Sequence, residues 1–201
     1  MSRFALALLA AAAIAGPAAA QTADKNFNGP FIGGQIGWQQ DRQSLTDSSV
    51  PPVTTRAKGD GFAYGGQIGY DLNLGKAVVG LETSLTGRTG SNRFPTFDLD
   101  AGRTVNVTAR AGILVAPDSL LYARGGYSNA RFSITNPTGP SENRDGYTVG
   151  AGFEKMLTRN VSARVEYNYS DYGNDTLPGA GGPATLNYHR HAVMTGVNFR
   201  F

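Results

Sequence analysis

The chain has 201 residues, 18 Lys and Arg against 15 Asp and Glu, a formal net charge of +3 at pH 7 and no cysteine. The lack of cysteine excludes disulfides and thiolate metal sites. Arg and Lys are scattered, so there is no basic patch typical of nucleic-acid binding. The apolar fraction of 40% lies below the usual ~45–50% of globular domains, whereas Gly reaches 27 residues.

The N-terminus has the pattern of a secretory signal peptide. Arg3 gives a positive start, an apolar run follows over 4–14, and Ala18-Ala19-Ala20 fits a small-residue cleavage site. The apolar run is far shorter than the ~20 residues of a spanning helix, which disfavours an anchor helix as the alternative. We therefore expect a signal peptide over 1–20, a short periplasmic segment over 21–29 and a single domain over 30–201.

The remaining chain alternates apolar and polar residues with the period of two that is typical of β-strands. Turn-forming residues separate the alternating segments, and the connections between them are alternately short and long. We predict short turns at Asn73-Leu74-Gly75, Pro117-Asp118 and Thr158-Arg159-Asn160, and long loops over 41–60, 88–102, 135–145 and 172–187. The eight predicted strands are 30–40, 61–72, 77–87, 103–115, 119–134, 146–157, 160–171 and 188–201.

The last of these strands shows the alternation most clearly. Val193, Val197 and Phe199 share one apolar face, while Asn198 and Arg200 share the other. At the end of a soluble protein such a strand would be an exposed, aggregation-prone edge strand, but it fits a closed barrel in lipid. A soluble sandwich, the alternative, would not need the two belts of aromatic residues that the strands also predict. We expect Trp38, Phe62, Tyr64, Tyr127, Tyr147, Tyr167 and Tyr169 in one belt, and Phe31, Tyr70, Phe199 and Phe201 in the other.

Three motifs carry a family resemblance. Gly33-Gly34-Gln35-Ile36-Gly37-Trp38 recurs as Gly65-Gly66-Gln67-Ile68-Gly69-Tyr70, and the chain also contains Leu121-Tyr122-Ala123-Arg124-Gly125-Gly126-Tyr127 and a terminal Phe199-Arg200-Phe201. Over residues 27–201 it resembles the small outer-membrane β-barrels, namely the opacity-like and porin-labelled surface proteins of alphaproteobacteria and, more distantly, the OmpA barrel. The resemblance implies that Phe199 and Phe201 form the signal read by the barrel-assembly machinery.

The predicted fold is an all-β, eight-stranded, antiparallel, up-and-down transmembrane barrel in the outer membrane. Short turns of such barrels face the periplasm, so both termini should lie there. Charged residues alternate with lipid-facing neighbours, and we expect them to fill the lumen. Strand register should oppose Glu154 to Arg164 and Gln67 to Glu82. The predicted lumen network consists of Glu82, Glu154, Glu166, Arg110, Arg124, Arg164, Gln35 and Gln67.

Catalytic and metal-binding alternatives are weaker. Paired carboxylates could serve as a glycosidase acid and base, but an arginine near each acid stabilises the charged carboxylate, whereas acid catalysis needs a protonated one. His189 and His191 could form a metal pair, but no third ligand is obvious, so we interpret them as residues of the outward rim. We expect no enzyme activity and no cofactor.

The leading functional hypothesis is a structural and surface-interaction protein whose four external loops meet lipopolysaccharide, a host surface or another extracellular ligand. The alternative is a narrow passive channel for ions or small solutes, which would leave the luminal charges unpaired or of one sign. The sequence does not define the oligomeric state. Arginine suits phosphate because its planar fork donates two parallel hydrogen bonds. Candidate contacts to lipopolysaccharide phosphates are Arg88, Arg103, Arg131 and Arg144.

Overall fold

The computed structural model describes residues 26–47, 54–89, 92–93, 98–135, 141–179 and 182–201. The predicted signal peptide therefore lies outside the described residues. Across the described ranges, no helix is long and apolar enough to cross a membrane. The strands are β1 (Gly29–Asp47), β2 (Thr54–Asn73), β3 (Ala77–Thr89), β4 (Asn92–Arg93), β5 (Asp98–Ala116), β6 (Ser119–Thr135), β7 (Ser141–Met156), β8 (Val161–Gly179) and β9 (Gly182–Arg200).

The eight long strands form a closed antiparallel barrel. Each pairs with its neighbours in the chain, β3 pairs with β5, and β1 pairs with β9 to close the wall. The two-residue strand β4 adds only a short pairing to β5. Closure gives every long strand two partners and leaves no open sheet edge. The predicted fold class is confirmed.

Apolar side chains cover the outward face of the wall, and polar ones fill the interior. Strand alternation explains this division, because Ile68 points outward and is 51% exposed while the preceding Gln67 is 2% exposed. The exposed apolar surface is far larger than a soluble monomer tolerates. Its aliphatic members include Ile32, Ile36, Ile68, Val79, Leu81, Leu85, Val107, Ile113, Leu121, Val149, Val165, Val193 and Val197.

Phe31 is the one aromatic residue whose predicted position on the outer surface is wrong. It is 2% exposed and lies inside the barrel, where the guanidinium groups of Arg110 and Arg200 stack on its ring at 4.6 and 4.9 Å from the centroid. The reason is the period of two: Ile32 faces outward, so its neighbour Phe31 must face inward. Phe31 pairs with Arg200 of β9, which also faces inward.

The strands are longer than predicted at the end opposite the short turns, which we call the loop end. Residues 41–46 pair with residues 54–59, and Asn174–Gly179 pair with Gly182–Asn187, so most of the predicted loops 41–60 and 172–187 are strands. These segments are rich in Ser, Thr, Asn, Asp, Gly and Pro, which is the composition that predicts loops. Backbone pairing satisfies the polar main-chain groups of these segments, and a mostly polar composition alone does not separate a paired strand from a loop. The connecting residues 48–53, 90–91, 94–97, 136–140 and 180–181 lie outside the described residues.

At the opposite end, which we call the turn end, short turns fix the register. Leu74 donates its backbone N–H to the carbonyl of Ala77 at 2.8 Å, and Gly75 has a φ of +100° that suits glycine. The turn has three residues, 74–76, one position later than assumed from sequence. Gln67 consequently lies opposite Ser84 instead of the predicted Glu82. The β7–β8 register was predicted correctly, with Glu154 opposite Arg164.

Residues 26–28 fold into the mouth of the barrel at its turn end. Asn26 donates to the carbonyl of Pro117 at 2.9 Å, and Asn73 donates its backbone N–H to the side chain of Asn28 at 3.1 Å. These contacts hold Phe27, which is 1% exposed and has a φ of +57° that is rare for a bulky residue. Phe27 packs in an apolar cluster with Val78, Leu120, Tyr122 and Met156.

Candidate functional site

The barrel interior is the candidate functional site, because it holds most of the buried charge of the described residues. Three groups of ion pairs succeed one another along it. The lower cluster, at the turn end, consists of Asp71, Arg110, Glu154 and Arg200. The middle cluster consists of Glu82, Arg124, Arg164 and Glu166. The upper cluster, towards the loop end, consists of Asp41, Arg88 and Arg190.

The lower cluster joins β2, β5, β7 and β9. Asp71 accepts hydrogen bonds from Nε and Nη2 of Arg110 and from Nη1 of Arg200, the last at 2.7 Å. Glu154, with 0% exposure, accepts from Arg110 at 3.0 Å and from Arg200 at 2.7 Å. Each carboxylate therefore bridges the same two arginines. Ser162 and Asn198 also donate to Glu154, at 2.5 and 3.0 Å.

A glycine makes room for this cluster. Gly80 lies opposite both Asp71 and Arg110 on the neighbouring strands. A Cβ atom at Gly80 would lie 2.2 Å from a carboxylate oxygen of Asp71, which is too close for any side chain. Small residues on the inward face thus allow the large charged side chains of neighbouring strands to cross the lumen.

The middle cluster is built on Glu82. Arg164 donates to both of its carboxylate oxygens, at 2.6 and 3.1 Å, and Arg124 donates to one of them at 3.0 Å. Arg124 also donates to Glu166 at 2.7 Å, and the hydroxyl of Tyr122 donates to the other oxygen of Glu166 at 2.7 Å. Gln35 accepts a bond from Arg164 at 3.0 Å. A longer contact of 3.8 Å between Arg110 and Glu82 connects this cluster to the lower one.

The upper cluster surrounds Asp41. Arg88 and Arg190 donate to its two carboxylate oxygens, at 2.5 and 2.8 Å. Arg190 also donates to the hydroxyls of Thr104 and Tyr188, each at 2.8 Å. The guanidinium of Arg190 lies 5.4 and 5.6 Å from the ring centroids of Tyr172 and Tyr188. Charge, hydrogen bonds and ring contacts therefore compensate the burial of this arginine.

The lower and middle clusters balance in charge. Together they contain four carboxylates and four guanidinium groups, all of them buried. Charges are costly to bury, and only close pairing with further hydrogen bonds compensates that cost. This part of the lumen therefore carries no net charge. Chemically, these side chains can fill and seal the barrel.

The structure brings together all six charged residues of the predicted network. The predicted partnership of Glu154 with Arg164 is wrong, however, because Glu154 binds Arg110 and Arg200 while Arg164 binds Glu82. The two residues are opposite in register, but their long side chains lean towards different levels of the lumen. Gln67 donates to Asn198 at 2.8 Å and belongs to the lower level.

Four charged residues of the three clusters were not among the predicted site residues: Asp41, Asp71, Arg190 and Arg200. Asp41 and Arg200 both face inward between outward-facing neighbours, but Asp41 lies in the predicted loop 41–60. Asp71 lies next to a turn, where a polar residue is unremarkable. Side chains alternate between the two faces of a strand, so assigning every second residue to the interior along the full length of each strand identifies all four.

The four candidate lipopolysaccharide contacts divide into two pairs. The side chain of Arg88 is 3% exposed and binds Asp41 inside the barrel, which contradicts the expected outward position. Arg144 also lies on the inward face, opposite the buried Ala130. Arg103 and Arg131 are exposed at the loop end, on the neighbouring strands β5 and β6. Extension of the barrel beyond the predicted strand ends explains why two of the four turn inward.

His189 and His191 lie on the outward face of β9 beside two tyrosines of β8. Nδ1 of His191 is 2.7 Å from the hydroxyl of Tyr167, and Nδ1 of His189 is 2.9 Å from that of Tyr169. Asp171 approaches His189 at 3.4 Å. Among the described residues, no group of three or more His, Cys, Asp or Glu side chains is placed to hold a metal ion. The two histidines extend the aromatic belt.

One interior cavity separates the middle and upper clusters. It has a volume of about 40 Å³ and is lined mainly by hydroxyl and amide side chains together with Arg124, Glu166 and Arg190. The buried Nε of Arg124 and Oδ1 of Asn168 have no hydrogen-bond partner among the described residues, and both residues line the cavity. Met194 is one of its few apolar lining residues.

At the turn end, an exposed ion pair joins the β5–β6 turn to the end of β7. Asp118 accepts a bond from Lys155, at 3.0 Å, and one from the hydroxyl of Ser119, at 2.8 Å. The hydrogen bond from Lys155, followed by the one from Ser119, lowers the pKa of Asp118 below its usual value. Both partners are well exposed, so solvent screens the pair and it contributes little to stability.

Comparison with known proteins places this architecture in a family. The model of the outer membrane protein beta-barrel domain matches residues 4–201. The 22 kDa outer membrane protein of Rhizobium leguminosarum is 31% identical over 150 residues, which cover 70% of this chain and 67% of that protein. The 25 kDa outer-membrane immunogenic protein of Brucella canis is 25% identical over 176 residues, covering 87% and 78%.

Two solved structures share the fold. Neisserial surface protein A superposes with a TM-score of 0.52 at 18% identity and covers 83% of this chain and 97% of its own. The attachment invasion locus protein of Yersinia pestis superposes with a TM-score of 0.50 at 17% identity, covering 87% and 99%. At these identities the likeness concerns the fold alone. It agrees with the closed barrel. The family match and the two relatives place the chain in the outer membrane as an integral protein.

Proposed function

Because the chain belongs to the outer membrane protein beta-barrel family and is an integral outer-membrane protein, we propose that it is a non-enzymatic surface-interaction barrel with a closed lumen. The wall anchors the chain in lipid. The connections at the loop end face the outside and meet lipopolysaccharide or another extracellular ligand. The turn end, where residues 26–28 and Phe201 lie, faces the periplasm.

The observation that carries the closed lumen is the paired charge in the lower and middle clusters. Their eight charged side chains are contributed by β2, β3, β5, β6, β7, β8 and β9, and they cross the lumen to meet one another. An eight-stranded barrel has little interior beyond what its side chains occupy. An ion passing through would have to break pairs that are poorly solvated, and each such break is costly.

Phe27 supports closure at the periplasmic mouth. Its ring packs against four buried apolar residues and lies 4.9 Å from the guanidinium of Arg200. An apolar layer thus lies directly beneath the lower cluster. Permeation would require displacement of this layer as well as rupture of the ion pairs.

The alternative function is a narrow channel for ions or small solutes, and the polar cavity favours it. The cavity provides hydrophilic space between two charged clusters, as a permeation path would. Single-channel recording on the refolded protein separates the two proposals. A closed lumen predicts no stable conductance, whereas the channel predicts discrete open events.

The absence of enzyme activity rests on the surroundings of the acids. Glu154 and Glu166 each accept hydrogen bonds from arginines and neutral donors, so both are held as buried, charged acceptors. Neither is poised to give up a proton to a substrate. The outward histidines contact tyrosine hydroxyls and Asp171 and, in the described part of the chain, no serine hydroxyl. The relatives from Rhizobium leguminosarum and Brucella canis are named as outer membrane proteins.

Arg103 and Arg131 are the remaining candidates for lipopolysaccharide contact. They are exposed near the loop end of adjacent strands, where headgroup phosphates of the outer leaflet would lie. Arginines on adjacent strands suit phosphate oxygens, because each guanidinium can donate two parallel hydrogen bonds. We expect Arg103→Gln with Arg131→Gln to reduce lipopolysaccharide co-purification several-fold.

Arg159 provides the matched control for that experiment. It is equally exposed but lies in the β7–β8 turn at the periplasmic end. Arg159→Gln removes the same charge and should leave lipopolysaccharide retention unchanged. Equal retention by the double variant and the unmodified protein would refute the proposed contact.

Phe199 and Phe201 are proposed as the assembly signal, as the family resemblance implies. Both are exposed on the outward face, at 46% and 60%, and their rings meet edge to face at 5.1 Å. The backbone N–H of Phe201 donates to the carbonyl of Pro30 at 3.1 Å, at the seam that closes the barrel. The pair is therefore accessible to a partner on the lipid side.

A further inference from the structure

Two methionines of the interior have contrasting surroundings. Met194 is 4% exposed and lines the polar cavity, whereas Met156 is 7% exposed and lies in the apolar cluster around Phe27. By exposure alone, both sulfurs should be protected from oxidants in solution. The polar cavity around Met194, however, would accommodate a small polar oxidant, whereas the apolar cluster around Met156 would not.

The cavity beside Met194 suits uncharged, hydrogen-bonding molecules of the size of water. Its volume of about 40 Å³ corresponds to roughly three water-sized molecules at ~10–15 Å³ each. The donor Nε of Arg124 and the acceptor Oδ1 of Asn168 are buried without partners and belong to residues that line it. Buried polar groups of this kind are normally satisfied by small polar molecules.

Ions are disfavoured in the same space. The charged groups that line it, Arg124, Glu166 and Arg190, are already engaged with partners in the middle and upper clusters. An added ion would lack a free counter-charge among these groups and would lose its hydration. The site thus selects small neutral molecules by size and by charge.

We propose that this cavity admits hydrogen peroxide and that Met194 is a peroxide-reactive methionine. The thioether sulfur of Met194 attacks one peroxide oxygen, the O–O bond breaks, and that oxygen remains on the sulfur as a sulfoxide. The other oxygen leaves as water with both peroxide hydrogens. Sulfur is oxidised by two electrons and peroxide is reduced by two. Met156, surrounded by apolar side chains, stays reduced under the same treatment.

Gly37 positions the sulfur. The Sδ atom of Met194 would lie 2.7 Å from a Cβ atom built on Gly37, so the absence of a side chain there leaves room for the thioether. Gly37 and Met194 are direct cross-strand partners of β1 and β9. The methionine is therefore held at the wall of the cavity by close backbone packing.

The test exposes the refolded mature protein in detergent to hydrogen peroxide and measures the sulfoxide at each methionine by peptide mass spectrometry. We expect oxidation of Met194 at least about tenfold faster than that of Met156, since only the polar cavity admits the oxidant. Similar rates at the two methionines, fast or slow, would overturn the proposal.

Ala192→Leu provides the decisive variant. Ala192 lines the cavity between Gln39 and Asn168 of the neighbouring strands, so a larger side chain fills the space without removing a hydrogen bond. Oxidation of Met194 should slow several-fold in this variant. Ala123→Leu makes the same change at an exposed position of the outward face and should leave the rate unchanged. An unchanged rate in Ala192→Leu contradicts the proposal.

Two further measurements separate cavity entry from unfolding. Heat-modifiable gel migration verifies that Ala192→Leu is folded, and Ala192→Val replaces it if it is not. The bulkier tert-butyl hydroperoxide should enter the cavity less readily and oxidise Met194 far more slowly than hydrogen peroxide. Equal rates with the two oxidants would mean that the sulfur is reached by opening of the barrel, which would refute the proposed site.

Discussion

Glu154 offers the sharpest test of how the interior is held together. It is fully buried and accepts hydrogen bonds from two arginines, Arg110 and Arg200. Removing one partner of a buried ion pair leaves an uncompensated charge and typically costs about 3–5 kcal/mol. Both arginines keep Asp71 as a second partner, so we expect Glu154→Ala to cost about 3 kcal/mol, at the lower end of that range.

Double variants identify the partner. Adding Arg200→Ala to Glu154→Ala removes the surplus charge and leaves the pair of Asp71 and Arg110, so part of the lost stability should return. Adding Arg164→Ala instead should lower stability further, because Arg164 binds Glu82 and not Glu154. Ser162→Ala removes only one neutral donor to Glu154 and should cost about 1 kcal/mol.

Urea unfolding measures these differences. The single tryptophan, Trp38, is exposed on the lipid-facing surface, and its fluorescence should shift to the red when unfolding transfers it to water. With a typical slope of about 1–3 kcal/mol per molar urea, a loss of 3 kcal/mol lowers the midpoint by about 1–3 M. Recovery with Arg164→Ala but not with Arg200→Ala would refute the assignment of partners.

Three further predictions concern the ends of the barrel. Deletion of Phe201 should lower the amount of heat-modifiable barrel in outer membranes, and unchanged levels would argue against its role in assembly. Phe27→Ala should cost about 3 kcal/mol or more in urea unfolding because it empties an apolar cluster, whereas a cost below 1 kcal/mol would mean that the mouth does not depend on this ring. On intact cells, proteinase K should cleave the connection at 48–53 and spare the turn at 157–160, and the reverse pattern would invert the proposed topology.

Much of the fold follows from the period of two in the sequence. Alternation such as that of Val193, Val197 and Phe199 defines which face meets lipid, and parity alone identifies Glu82 and Arg124 as interior residues. The same rule, applied consistently, would have placed Phe31 inside. The strand ends were harder to predict because residues 41–46 are polar apart from Leu45, so the sequence pattern does not separate a paired strand from a loop.

Partner choice in the interior could not be predicted from register. Cross-strand position sets Glu154 beside Arg164, but arginine side chains are long enough to reach other levels of the lumen. Which acid each arginine binds depends on the whole set of charges, including Asp71 and Arg200 on strands distant in sequence. Turn position had a similar effect, since a turn placed one residue later than predicted moved the partner of Gln67 by two positions, from Glu82 to Ser84.

Conductance of the unmodified, refolded protein in planar lipid bilayers tests the proposed closed lumen most directly. The lower and middle clusters pair every carboxylate with guanidinium groups, and Phe27 covers them at the turn end. We therefore expect no stable conductance above that of the bare bilayer. A large, long-lived conductance in the unmodified protein would contradict a closed lumen and establish the narrow channel in its place.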